Sequence, residues 1–258
     1  MIPVALTIAG SDPSGGAGLE ADLKTFHRFG VYGEAVVTLI AVQNTRGVTC
    51  VDRLAPGAVA AQIKAVLEDI PPQAAKTGAL GSKEVVKTVA ELAAGFRCPL
   101  VVDPVMISKR GARLLDENSS RVFVECLLPR AFLLTPNLDE AAAITGRAVS
   151  DRESMLGAAK ELIALGAANV LVKGGHLAGD ALDLLLTGSG EVHEYTAARI
   201  ETRHTHGSGC TYSAAITAEL AKGTPLAEAV RLAKEFVTRA ILTNPGLGSG
   251  QGPVNHFA

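Results

Sequence analysis

The chain has 258 residues, 48% of them hydrophobic, enough to fill one core at the upper end of single-domain size, so 1–258 is read as one domain. Its 24 basic and 26 acidic residues leave a formal charge of −2 with no basic block, which argues against a nucleic-acid surface. No apolar run approaches the ~20 residues of a membrane span. The opening Met1-Ile2-Pro3-Val4-Ala5-Leu6 lacks the basic flank of a signal peptide, and a cytoplasmic protein is expected.

Along the chain, short apolar runs alternate with helical patterns. Segment 2–9 reads as a buried strand and 17–29 as a helix, with Leu19, Leu23, Phe26 and Phe29 near helical spacing. Strands are expected at 35–42, 74–77, 100–103, 131–135 and 169–173, with helices at 57–67, 82–94, 118–127, 138–145 and 151–165 between them. Such alternation specifies a mostly parallel sheet with helices on both faces. The rhythm then breaks. Segments 181–187 and 191–195, separated by Gly188-Ser189-Gly190, read as an antiparallel hairpin at the sheet edge. Two helices follow at 209–222 and 225–243, and the glycine-rich tail from Gly246 to Pro253 reads as a loop folded over the site or the surface.

The segment Thr205-His206-Gly207-Ser208-Gly209-Cys210-Thr211 runs straight into one of these helices. Free N–H groups and the macrodipole at a helix start favour a phosphate or a developing oxyanion, and glycines let the backbone come close. The same field would lower the pKa of Cys210 and allow a thiolate to act there. An ordinary glycine turn with an inert cysteine would carry the same letters. Cys50, Cys98 and Cys126 fall in or beside apolar segments and read as core filler, with no Cys-x-x-Cys pair or zinc spacing among the four.

In open α/β sheets ligands bind beyond the carboxyl ends of the strands, and those ends are rich in polar groups here. The first is followed by Gly10-Ser11-Asp12-Pro13-Ser14-Gly15-Gly16-Ala17-Gly18, with Asp22 one turn into the next helix. Later ends supply Gln43-Asn44-Thr45, Gly78, Asp103-Pro104, Asn137 with Glu140, and Lys173-Gly174-Gly175-His176. The first loop matches neither a Walker A motif nor the Gly-x-Gly-x-x-Gly spacing. Asp22 could be a solvated first-turn carboxylate, Asn137 and Glu140 a capping box, and Lys173 a surface lysine.

These segments, with Ala21-Asp22-Leu23-Lys24-Thr25-Phe26, Val102-Asp103-Pro104-Val105-Met106, Thr135-Pro136-Asn137-Leu138-Asp139-Glu140 and His206-Gly207-Ser208-Gly209-Cys210-Thr211, resemble the hydroxymethylpyrimidine/phosphomethylpyrimidine kinases of the ribokinase-like superfamily. The resemblance implies a three-layer αβα sandwich with a mostly parallel sheet, and ATP-dependent phosphorylation of a pyrimidine's hydroxymethyl group and then of the monophosphate, for thiamine biosynthesis. It implies that Gly207, Ser208, Gly209 and Cys210 form the anion hole, with Cys210 as general base. Lys173 would neutralise ATP phosphates, Asn137 and Thr205 would line the nucleotide site with Gly207 and Gly209, and Asp103 and Glu140 would orient Mg²⁺, largely through water. Asp22 and Gln43 would read the aminopyrimidine edge, with Gly10, Val42, Ala79, Val105 and Met106 around the ring. A homodimer is implied, with no nucleic-acid or membrane partner.

Ala79 stands where a larger residue, often methionine, is expected in the family, so one wall of the ring pocket is read as looser. Ser208 replaces a commoner threonine, which leaves the backbone anion hole intact, and 107–111 resembles a flap. A pyridoxal or pyridoxine kinase on the same fold is the alternative, because it would use the same catalytic parts and differ only around the ring.

Overall fold

In the computed structural model, which describes residues 2–105, 117–175 and 179–258, nine strands form one sheet ordered β3-β2-β1-β4-β5-β6-β7-β8-β9. In chain order they are β1 (Val4–Ser11), β2 (Tyr32–Asn44), β3 (Gly47–Arg53), β4 (Ala74–Thr77), β5 (Leu100–Val102), β6 (Leu133–Leu134), β7 (Val170–Gly174), β8 (Ala181–Leu186) and β9 (Val192–Ala197). From β2 to β7 neighbouring strands run parallel, while β3 at one edge and the β8–β9 hairpin at the other are antiparallel.

The central strands are mostly apolar because helices cover both faces. The helices are α1 (Gly18–Arg28), α2 (Pro56–Asp69), α3 (Lys83–Ala93), α4 (Glu117–Val122), α5 (Leu138–Thr145), α6 (Arg152–Ala164), α7 (Ser208–Ala221) and α8 (Leu226–Leu242). Ile8, Val102 and Val172 meet α2, α3, α5 and α6 on one face. On the other, Val101, Leu133 and Leu171 meet Tyr212 and Ile216 of α7 and Phe236 of α8, while Ala5 and Ala74 pack with Phe26 of α1. This is the expected three-layer αβα sandwich. Among the described residues no helix is long and apolar enough to cross a membrane.

Two local expectations are corrected. The helix expected at 118–127 changes form inside that span, since α4 passes into a π-helical turn at Phe123–Leu127. β3 was not foreseen, because neither of its faces is buried and its sequence GVTCVDR has no apolar stripe. It exists because β2 runs on for 13 residues and the two-residue turn at Thr45 and Arg46 folds the chain back along its free edge. Cys50 of β3 is therefore exposed rather than core filler, whereas Cys98 and Cys126 are partly buried against the larger core.

Glu34 of β2 has a buried Oε2 with no hydrogen-bond partner among the described residues. Burial, with Asp69 adding repulsion, pushes its pKa up to about 7. Such a group opposes folding once ionised, so stability is lost as pH rises from about 4.5 through about 7. Glu34→Gln is expected to melt above wild type at pH 8 and close to it at pH 5; equal melting temperatures at pH 8 would show that the carboxylate is relieved by solvent.

Candidate active site

Polar side chains gather where the carboxyl ends of β1, β2, β4, β5 and β7 face the start of α7. Gly207 caps α7 with φ +78°, in the left-handed region that disfavours any side chain. A Cβ there would lie 1.7 Å from the Gly16 carbonyl oxygen, so the first loop and the start of α7 touch backbone to backbone. Gly18 is also left-handed, with its missing Cβ facing the Gly10 carbonyl. The loop itself is organised by Asp12, whose carboxylate accepts from the Ser14 hydroxyl and from the N–H groups of Ser14, Gly16 and Ala17.

Two cavities open on either side of Asn137, Lys173 and Gly209, which line both. The first, about 170 Å³, is walled by Gly10, Leu39, Ala41, Gln43, Val48, Ala79 and Val105, and reaches Asp103, Glu140, Gly207 and Cys210. The second, about 340 Å³, is more polar and is walled by Asp183, Arg199, Thr202, Thr205, Ser208, Tyr212 and Lys234. A smaller pocket and a larger one, the latter setting Asp183, Arg199 and Lys234 among apolar side chains, thus share a wall made of a lysine, an asparagine and helix-start glycines.

At that wall Lys173 Nζ lies 2.9 Å from Asp103 Oδ1, and Asp103 also accepts from Thr135 and Ser213. Burial alone would raise the Asp103 pKa, but Lys173 and Lys76 hold it below the usual carboxylate range. Burial, with Asp103 adding repulsion, pushes Glu140 up to about 7, while Lys173 acts in the opposite direction. Asn137 and Glu140 do form the capping box of α5: the asparagine side chain accepts from the Glu140 N–H and the glutamate accepts from the Asn137 N–H. The capping role and a place in the cavity wall coexist.

Three expectations are corrected here. Asp22 does not line the pocket. It is fully buried behind it, accepting from both Lys76 (2.8 Å to each oxygen) and the Thr7 hydroxyl. Val42 faces away and is 44% exposed, because side chains alternate along a strand and Gln43 shares its face with Ala41 and Leu39. Cys210 is not acidified: burial pushes its thiol up to about 11, with Asp22 and Asp103 adding to the rise, and Lys76 and the Gly18 N–H only partly offset it. Met106, the 107–111 segment and His176 lie outside the described residues.

Several wall residues were missed. Ala41 and Leu39 follow from Gln43 by the two-residue strand period, a signal present in the sequence. Val48 could not be found without β3, and Lys76 sits in a short apolar strand with no mark of its partner. His206 and Asp12 stood inside quoted motifs without a role.

A match to the phosphomethylpyrimidine kinase family model covers residues 12–255. The chain is 50% identical over 254 residues to the hydroxymethylpyrimidine/phosphomethylpyrimidine kinase of Streptomyces coelicolor, covering 98% of this chain and 94% of that one. It is 49% identical over 254 residues to the thiamine biosynthesis bifunctional protein ThiED of Geobacter sulfurreducens, of whose length it spans 52%. Among solved structures, an ADP complex of Bacillus subtilis pyridoxal kinase superposes with a TM-score of 0.91 at 37% identity, over 99% of this chain and 98% of that one. The fold and its strand-end site define a small-molecule kinase. The chain belongs to the phosphomethylpyrimidine kinase family.

The glycines of the turn are expected to separate folding from chemistry. Gly207→Ala should lower the melting temperature, because left-handed alanine costs about 1–2 kcal/mol before the clash with Gly16 is relieved. At Gly209 a Cβ would meet only Lys173 Nζ at 3.7 Å and Asp103 Oδ2 at 3.9 Å, which are ordinary contacts. Gly209→Ala should therefore melt like wild type yet lose phosphoryl transfer by occupying the shared wall. An active Gly209→Ala enzyme would place the reaction elsewhere.

Proposed function

We propose that this chain is the ATP-dependent kinase that phosphorylates 4-amino-5-hydroxymethyl-2-methylpyrimidine and then its monophosphate, in thiamine biosynthesis. Family membership supports the substrate class, and the observation that carries the reading is the pair of cavities sharing Lys173, Asn137 and Gly209. The ring occupies the smaller cavity and ATP the larger one, so that the transferred group crosses at the wall. Phosphoryl transfer asks mainly for positioning and for charge stabilisation, and an N–H-lined helix start with a lysine supplies both.

In this reading the N–H groups from Gly207 to Cys210 hold the moving phosphoryl group, with Ser208 and Thr205 on the nucleotide side. Lys173, held protonated by Asp103 and Glu140 despite burial, meets the ATP phosphates. Among the described residues no three carboxylate, histidine or cysteine side chains gather for direct metal coordination. Asp103 and Glu140 would hold Mg²⁺, largely through water, and the ion would supply charge to offset the phosphates. Gln43, whose amide has no hydrogen-bond partner among the described residues, reads the ring edge. Gly10, Ala79, Val105 and Met106 close around it. Asp22 acts behind the wall by fixing Lys76. A single ribokinase-like domain, a homodimer and cytoplasmic residence belong to the same reading, on the family resemblance.

Pyridoxal kinase activity is the second reading. The small Ala79 in the ring wall and the similarity to the B. subtilis enzyme favour it. Release of ADP with each alcohol decides between them. The first reading expects a higher kcat/KM for the aminopyrimidine alcohol and two ADP per ring, while a preference for pyridoxal reverses the assignment.

Cys210, as thiolate, accepts the alcohol's proton as that oxygen bonds to the γ-phosphorus of ATP and the bond from that phosphorus to the ADP oxygen breaks, releasing ADP. Because only its deprotonated form can accept and burial holds that form scarce below about 11, log kcat/KM should climb from pH 6 to 9 without levelling. Cys210→Ala should lose about 10²–10⁴ in kcat and keep ADP affinity within about threefold. Unchanged kcat in that variant would leave the cysteine as a spacer. Gln43→Leu should cost the aminopyrimidine reaction about 1–3 kcal/mol in kcat/KM by leaving ring atoms unpaired, and pyridoxal less; equal losses would indicate a shared contact.

A further inference from the structure

The residue just before the anion hole is held from two sides. The His206 N–H donates to the Gly252 carbonyl and the Val254 N–H donates to the His206 carbonyl, so the backbone of the tail fixes the backbone of His206. Its side chain turns the other way, with Nε2 2.8 Å from Asp12 Oδ2. Both groups are buried, and both line the first cavity.

Asp12 is the same carboxylate that gathers the N–H groups of Ser14, Gly16 and Ala17. Burial works to raise its pKa, but hydrogen bonds from His206 and Ser14 more than offset this and keep it ionised. An ionised Asp12 accepts, so His206 Nε2 donates. One anion therefore ties the first loop, which leads through Gly18 into α1, to the residue that leads through Gly207 into α7. The tail adds a third tie, since the Gln251 N–H donates to the Thr45 carbonyl at the β2–β3 turn, two residues past Gln43.

We propose that Asp12 and His206 are positioning residues: their hydrogen bond sets the spacing between the ring cavity and the Gly207–Cys210 anion hole, so that the alcohol and the transferred phosphoryl group stand in line. The inference rests on the reaction proposed above. Neither residue exchanges a proton with substrate; they act through the backbone they hold. Gly207 meets the Gly16 carbonyl backbone to backbone and the His206 ring packs on Gly16, where a Cβ would lie 2.6 Å from its Cδ2, so a displacement of His206 moves the anion hole directly against the first loop. A shift of about 1 Å at a reacting centre costs about 10²-fold in rate.

The test compares His206→Ala with His206→Gln, whose amide returns a neutral donor near the reach of Nε2. Steady-state kinetics with the aminopyrimidine alcohol and ATP should show kcat about 10²-fold lower in His206→Ala, with both KM values and the ADP Kd within about threefold. His206→Gln should regain all but about tenfold of the wild-type kcat. If His206→Ala does not fold, His206→Phe, which keeps the ring and lacks the donor, takes its place in the same comparison. Wild-type kcat in the variant without a donor overturns the proposal, and so does a His206→Gln enzyme that is folded yet no faster than it. If wild type itself transfers no phosphate, the proposed reaction fails and this inference falls with it; an active wild type beside an equally active His206→Ala sinks the positioning role alone.

Discussion

The site depends on a steric constraint at Gly207. The backbone there adopts a conformation open in practice to glycine, and it presses against the Gly16 carbonyl at a distance that no Cβ could share. Because this contact is backbone to backbone, two helices that start beside it and both border the first cavity, α1 and α7, have their N-termini at a fixed separation. Everything that follows, from the wall shared by two cavities to the placement of Cys210, needs that separation to hold.

Around this frame the charges are paired in layers. Asp22 and Lys76 form a dry pair under the pocket, with side chains 0% exposed, and Asp103 with Lys173 forms a second at the wall. Buried pairs of this kind add little net stability, since desolvation takes back most of the attraction, but losing one partner leaves a stranded charge. Their effect is to fix where charge stands before any phosphate arrives. It also explains the cysteine. A helix start and nearby lysines argue for an acidic thiol, yet Asp22 and Asp103 neutralise those lysines and burial then dominates. The proposed proton transfer therefore draws on the small thiolate population that burial leaves, a scarce but strong base.

Most of the architecture was legible because the parallel strands are mostly apolar and lie between helical patterns, as in 74–77 and 138–145, where the expected and observed bounds agree. The strand-end rule brings Gly10, Gln43, Asp103, Asn137, Glu140, Lys173 and the glycine turn to one place from sequence alone. What failed needed three dimensions. Asp22 looks like a first-turn surface carboxylate until Lys76, 54 residues later, is seen to face it. β3 has no buried face for periodicity to reveal, and so Val48 was invisible. The choice of Val42 over Ala41 was different in kind, since strand alternation from Gln43 contained the answer. The direction of the Cys210 shift is set first by burial of the thiol, with carboxylates from two other elements adding to it, and no local reading of the turn could supply either.

The account stands on the claim that phosphoryl transfer occurs at the wall common to the two cavities. A crystal structure with ADP, Mg²⁺, aluminium fluoride and the aminopyrimidine alcohol addresses it most directly. The fluoride group is expected within hydrogen-bonding distance of the N–H groups from Gly207 to Cys210 and of Lys173 Nζ, with the hydroxymethyl oxygen beside Cys210 and the ring against Gln43. Fluoride bound away from the start of α7, or the ring seated outside the cavity of Ala41, Gln43 and Ala79, would contradict it.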